Sequence, residues 1–282
     1  MLRVCRWGRA DYETTELGGL PEGTGMEVDP AQAEVVVVPS TRRVSPADVP
    51  RARLVITTTS GFENLDVEAL RAAGIRSSRL PMVRRDAVVE STLAMILSLT
   101  RRHGRFEGPA RAGVWDRSNL HRYDARLLRR VAVVGMGVIG SRVAEVLRAL
   151  GAEVIGVRTG QMIPTDIDVL TLHASLTRTN HRMVDAALLS ALAPGCVVVN
   201  TARGKLLDVE AAFAAVLAGH IGGLGVDVFP EEPAALDRFV HPDVIVTPHA
   251  AGWHPALGQR IAEGVSEAIR ALQAGQPIPW AL

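Results

Sequence analysis

The chain of 282 residues carries 31 basic and 30 acidic side chains, a formal net charge of +1, with 48% hydrophobic and 22% charged residues. That balance excludes a polybasic nucleic-acid or anionic-membrane binder and a highly charged disordered chain. On that charge no nucleic-acid or membrane partner is expected, and with Cys5 and Cys196 as the only cysteines a disulfide scaffold is excluded as well.

Taken in chain order, Met1–Val4 lacks the long apolar core of a signal peptide. The most apolar stretch, residues 87–99, contains Glu90 and is too short to span a bilayer, so a cytoplasmic location is expected. Continuous apolar runs predict strands at 2–4, 35–38, 54–57, 131–134, 154–157, 169–172, 197–200, 224–228 and 244–247. Amphipathic or capped segments predict helices at 66–73, 86–103, 141–150, 185–192, 208–218 and 255–274, with Gly74 and Gly219 at C-cap positions. Gly104, Gly108, Pro109 and Gly113 make the intervening 104–113 stretch read as a polar loop.

Alternation of this kind predicts an α/β protein of two Rossmann-like or flavodoxin-like domains with parallel sheets, and an active site in the interdomain cleft. The expected boundaries are a discontinuous substrate-binding (catalytic) domain, 1–97 with 255–282, and a dinucleotide-binding Rossmann domain, 98–254.

Gly135-Met136-Gly137-Val138-Ile139-Gly140 follows one of these apolar runs and opens a helix. This is the strand, glycine turn and helix on which a dinucleotide pyrophosphate rests. The next strand ends at Arg158-Thr159, where an acidic residue would accept the ribose hydroxyls of NAD. Arginine cannot accept there but pairs with a 2′-phosphate, so NADP(H) is the preferred cofactor expected, with NAD(H) possible. Only ten residues separate Arg158 from the strand at 169, so that crossover is expected to shrink to a loop or a single turn.

Three further segments each close a strand: Asn200-Thr201-Ala202-Arg203-Gly204, Asp227-Val228-Phe229-Pro230-Glu231-Glu232-Pro233 and Thr247-Pro248-His249-Ala250-Ala251-Gly252. Ligands bind beyond the carboxyl ends of strands in such sheets, so an arginine, a carboxylate and a histidine, each just past a strand, are expected to converge on one cleft. His241 and His254 near His249 lack ligand spacing, so no metal site is expected.

With Leu172-His173-Ala174-Ser175-Leu176-Thr177, these motifs in order resemble the D-isomer-specific 2-hydroxyacid dehydrogenases over most of the chain. The resemblance implies that Arg203 binds the substrate carboxylate, that His249 is the general acid/base and that Glu232, just before Pro233, is its partner. It also implies that Ser60, Gly61 and Phe62 form a substrate loop, and that His173, Thr201, Ala202, Asp227 and Gly252 join the glycine turn at the cofactor. Arg84-Arg85, where the family often has a small or amide residue, and Ser91 are departures; the two arginines would suit an acidic or phosphorylated substrate. The implied protein is a homodimeric reductase of a small 2-oxo acid such as glyoxylate or hydroxypyruvate. The alternative is a catalytically silent, NAD(P)-sensing or co-repressor-like protein on the same fold.

Overall fold

A computed structural model describes residues 1–8, 18–118 and 120–282. The chain opens with β1 (Leu2–Arg6), β2 (Thr24–Glu27), β3 (Val35–Val38), β4 (Leu54–Thr57), α1 (Val67–Ala72) and β5 (Arg76–Arg79). It continues with α2 (Arg85–Thr100), α3 (His103–Arg111), β6 (Arg130–Val134), α4 (Val138–Ala149), β7 (Glu153–Val157) and β8 (Val169–Leu172). α5 (Ala186–Ala191), β9 (Val197–Asn200), α6 (Val209–Leu217), β10 (Gly223–Val226), β11 (Val244–Val246) and α7 (Leu257–Gln273) complete it. No helix among the described residues is long and apolar enough to cross a membrane.

Two compact units result: Met1–Arg85 with Trp253–Leu282, and Asp86–Gly252. In the first, five parallel strands run in the order β2-β1-β3-β4-β5, the flavodoxin arrangement. The unbroken valine run of β3 has a simple cause. Val35 and Val37 pack with Ile261, Val265 and Ile269 of α7. Val36 and Val38 pack on the opposite face with Leu70 of α1.

In the second unit six parallel strands run β11-β10-β9-β8-β6-β7. Ala132, Val134, Leu170 and Leu172 bury one face against Leu189 of α5 and Ala212 of α6. Val131, Val133 and Val169 bury the other against α2 and α4. The chain leaves β6 for β7 on one side and reaches β8 on the other, so strand order reverses at β6 and a ligand-binding crevice is expected at its carboxyl end. The β7–β8 connection contains turns and no helix, as its length required.

Four features differ from the sequence reading. β5 is Arg-Ser-Ser-Arg and carries no apolar signal; it is a strand because β4 pairs along it and residues 279–282 cover its other edge. There Ser78 Oγ donates to Pro279 O at 2.6 Å and Leu282 N–H to Ser77 O at 2.9 Å. β2 was missed for the same lack of an apolar run.

The 104–113 stretch is largely helical, not a loop, despite Gly104 and Pro109. Asp243 supplies the missing stability: buried, it takes Arg105 at 2.5 Å and Arg102 at 3.2 Å, and a Cβ at Gly104 would lie 2.2 Å from Pro242 O. The units divide at 85/86 and 252/253, against 97/98 and 254/255 read from sequence. Val89, Met95, Ile96 and Leu99 place α2 in the core of the second unit.

Candidate active site

The glycine turn shows why two of its three glycines are needed by the fold itself. Gly135 has φ 95°, and a Cβ there would stand 2.5 Å from Ala174 N at the end of β8. Gly140 lies in α4 against the Gly135 carbonyl, 1.9 Å from where its Cβ would be. Gly137 is different. Its φ of −84° suits any residue and a Cβ would meet nothing within 4 Å, so the space it leaves is open rather than filled by protein. No side chain caps the N-terminus of α4, where Val138 and Ile139 form the first turn. An uncapped twelve-residue helix facing a cradle that a Cβ would fill fits a dinucleotide pyrophosphate.

Beside this turn His173 Nε2 lies 3.0 Å from Thr171 Oγ1. Burial of the ring pushes its pKa down to about 4, so the imidazole is neutral. Past β7, Gln161 Oε1 accepts the Arg158 N–H at 2.7 Å and closes a turn with Thr159 at its centre. Arg158 and Thr159 are both exposed, and no carboxylate among the described residues pairs with the Arg158 guanidinium.

Arg203, Glu232 and His249 extend from the ends of β9, β10 and β11. Asn200 shapes the first turn: its Oδ1 accepts the Ala202 N–H at 3.1 Å and its Nδ2 donates to Arg203 O at 2.9 Å. Gly204 then packs onto the Phe229–Pro230 backbone so closely that a Cβ would sit 1.9 Å from Phe229 C. This contact joins the arginine turn to the glutamate loop. Within that loop Glu232 Oε1 accepts the Phe229 N–H at 3.0 Å, which aims Oε2 at His249 Nδ1, 2.8 Å away. Glu231, its neighbour, is exposed.

The electrostatics follow the geometry. The hydrogen bond to Glu232 raises the His249 pKa; partial desolvation and Arg203 oppose this, while the charges of Glu232 and Asp227 add to it. For Glu232 partial burial works against ionisation, but bonds from His249 and Phe229 and attraction to His249 and Arg203 outweigh it and lower its pKa. The pair therefore favours carboxylate and imidazolium. With Nδ1 committed to Glu232, Nε2 is the ring atom left to exchange a proton.

His249 has φ 54°, a left-handed conformation that needs external support in a non-glycine residue. Asp227, buried at the end of β10, supplies it. Its Oδ1 accepts Thr247 Oγ1 at 2.6 Å and the N–H groups of Ala250 and Ala251 at 2.8 and 3.1 Å, and its carbonyl accepts His249 N–H at 2.8 Å. The residue expected at the cofactor is thus heavily engaged in holding the histidine loop. Ser91 on α2 adds a bond from Oγ to Ala251 O at 3.2 Å. Thr92, one residue on, donates to Val88 O and so receives the Thr201 hydroxyl at 2.8 Å, turning that side chain inward. Ala202 and Gly252, the other two expected cofactor contacts, are partly buried beside these loops. Sequence reasoning gave Ser91 and Thr92 no role here, because a hydroxyl on a helix carries no motif.

In the first unit Ser60, Gly61 and Phe62 follow β4. Ser60 Oγ donates to Pro81 O at 3.3 Å, and Arg79 reaches the loop from β5. Asn64 closes it, donating to Pro39 O and Arg42 O at 3.1 and 3.0 Å. Arg84 is buried and Arg85 half-buried. His254 donates from Nε2 to Val83 O at 2.9 Å, and no cluster fit to hold a metal occurs among the described residues.

Comparison with known proteins identifies the family to which this fold belongs. Residues 93–251, more than half of the chain, match the family described as D-isomer specific 2-hydroxyacid dehydrogenase, NAD binding domain. The D-3-phosphoglycerate dehydrogenase of Mycobacterium leprae is 29% identical over 297 residues, covering 98% of this chain and 54% of that protein. The chain thus spans about half the length of such mycobacterial relatives. The glyoxylate reductase of Aeropyrum pernix is 29% identical over 260 residues, covering 83% of this chain and 77% of that protein. The D-lactate dehydrogenase of Aquifex aeolicus, solved with NAD and lactic acid, superposes with a TM-score of 0.77 at 26% identity over 89% of both chains. With two parallel sheets, the glycine turn and the three strand-end loops in place, the chain belongs to the D-isomer specific 2-hydroxyacid dehydrogenase family.

Proposed function

We propose that the protein is an NADP(H)-preferring 2-hydroxyacid dehydrogenase that works mainly as a reductase of a small 2-oxo acid such as glyoxylate or hydroxypyruvate. The observation that carries this reading is the Glu232–His249 pair at 2.8 Å, with the Arg203 turn packed onto the same loop through Gly204. A bound nicotinamide dinucleotide supplies the hydride. Arg203 holds the substrate carboxylate and polarises the 2-oxo group, and the Ser60–Phe62 loop offers further donors to the carboxylate. His249 gives its Nε2 proton to the oxygen as that becomes the hydroxyl, and returns to neutral imidazole. Glu232 keeps the ring charged beforehand and fixes its orientation.

The preference for NADP(H) rests on Arg158, exposed and with no carboxylate partner among the described residues at the end of β7. The name of the Aeropyrum pernix relative, glyoxylate reductase, supports a small oxo acid. The family resemblance supports a homodimer, which light scattering checks. The deciding experiment is a panel of 2-oxo acids assayed with NADPH and with NADH. Faster NADPH oxidation on glyoxylate or hydroxypyruvate is expected. Tight NADPH binding with no oxidation on any acid would overturn the proposal in favour of a silent sensor.

A further inference from the structure

In the loop after β4 the carbonyls of four successive residues, Thr59 to Phe62, are occupied. Thr59 O accepts Leu80 N–H at 3.2 Å, Ser60 O accepts Arg79 Nη1 at 2.9 Å, Gly61 O accepts Thr59 Oγ1 at 2.9 Å and Phe62 O accepts Leu65 N–H at 3.0 Å. Among the described residues the N–H groups of Ser60, Gly61 and Phe62 donate to nothing, although Gly61 is buried. A run of backbone with its acceptors filled and its donors open is made for an anion.

Arg79 acts on this run twice. Besides its bond to Ser60 O, its guanidinium lies 5.5 Å over the Phe62 ring. It therefore grips the loop on both sides of Gly61. No carboxylate among the described residues forms an ion pair with it, so its charge is not cancelled locally. A peptide unit whose oxygen accepts a charged donor is polarised, and its N–H becomes a stronger donor in turn. Here that unit is Ser60–Gly61, and the strengthened donor is the Gly61 N–H.

We propose that Arg79 is a positioning residue that sets the loop's affinity for the substrate carboxylate, by polarising the Ser60–Gly61 peptide and clamping Phe62. The inference rests on the loop being the carboxylate-binding element of the proposed reductase. It implies an effect on substrate KM and not on the chemical step, since Arg79 acts through the loop.

The test uses the whole protein, with oxalate as a non-reacting mimic of a 2-oxo acid. Oxalate binding is measured by calorimetry, and KM, kcat and NADPH affinity are measured for the wild type, Arg79→Met and Arg79→Lys. Arg79→Met is expected to weaken oxalate binding and raise KM by about tenfold, the loss of one charge-assisted interaction, with kcat and NADPH affinity within about twofold. Arg79→Lys, keeping the charge, should recover part of the loss. No oxalate binding by the wild type overturns the proposal, as does an Arg79→Met protein of unchanged melting temperature with unchanged oxalate affinity and KM. A fall in kcat, NADPH affinity and melting temperature together also overturns it, since that marks a general structural role. Oxalate binding that depends on Arg79 in a protein inert toward every 2-oxo acid would uphold this inference and sink the proposed reaction.

Discussion

Glu232 and His249 are bound at Oε2 and Nδ1, 2.8 Å apart, while the other Glu232 oxygen takes the Phe229 N–H at 3.0 Å. The carboxylate is thereby anchored to its own loop before it meets the ring, and the ring's outward nitrogen is Nε2. In the proposed reaction, reduction consumes the proton of His249, whose pKa is raised. The reductive rate should therefore hold on the acid side and fall as pH rises through that raised value, and the oxidative rate should climb over the same interval. Glu232→Gln should move this limb to lower pH, and His249→Ala should lower turnover by about 10²–10⁴-fold with NADPH binding retained. Coincident pH profiles for wild type and Glu232→Gln would break the assignment.

Gly204→Ala is a test of the packing that joins the arginine turn to the glutamate loop. The new methyl would meet backbone atoms at 1.9 to 2.5 Å, none of which can rotate away. A loss of about 1–3 kcal/mol in chemical denaturation is expected, with kcat/KM falling further than the folded fraction does. Wild-type stability and activity in this variant would show the contact to be slack.

Arg158→Asp should reverse coenzyme preference, since an acid accepts ribose hydroxyls and repels a 2′-phosphate. Steady-state kinetics with both coenzymes give the answer. A wild type that favours NADH, or a variant with unaltered preference, removes Arg158 from cofactor choice.

His173 predicts an acid limit to stability. Its folded pKa of about 4 lies below the ordinary value of 6.5, so the unfolded chain takes up the proton first. Folding should weaken progressively as pH falls from about 6.5 to about 4, by up to about 3 kcal/mol from this group. His173→Gln should flatten that part of the stability curve, as read from denaturant midpoints against pH. An equally steep curve would mean that other groups control it.

Asp243 is buried between Arg102 and Arg105, and its pKa is lowered: burial opposes its charge, but the two guanidinium groups prevail. Its contribution is present at neutral pH and lost as pH falls through the depressed value. Asp243→Ala leaves the buried Arg102 short of its partner and should cost about 3–5 kcal/mol in thermal or denaturant unfolding. A melting temperature equal to that of wild type would contradict this.

The sequence made legible what depends on period and spacing. The valine runs of β3 and β9 announced strands buried on both faces, and the glycine spacing at 135, 137 and 140 announced the turn. Arg203, Glu232 and His249 could be singled out because each follows a strand in a recognisable string. What stayed hidden depends on partners far along the chain. β5 is a strand because of β4 and Pro279, and α3 is a helix because Asp243, more than 130 residues later, pairs with Arg102 and Arg105. Arg79, the tie from Ser91 to Ala251 and the support that Asp227 gives to His249 were invisible for the same reason: their importance lies in which carbonyls and N–H groups are reached.

The missing crossover helix between β7 and β8 has a consequence for how this protein can change. Residues 158–162 are exposed at every position, in a turn closed by Gln161, so the core does not constrain them. Arg158, Thr159 and Met162 can therefore be exchanged with little cost to folding, while Gly160, at φ 81°, and Gln161, whose side chain closes the turn, keep its shape.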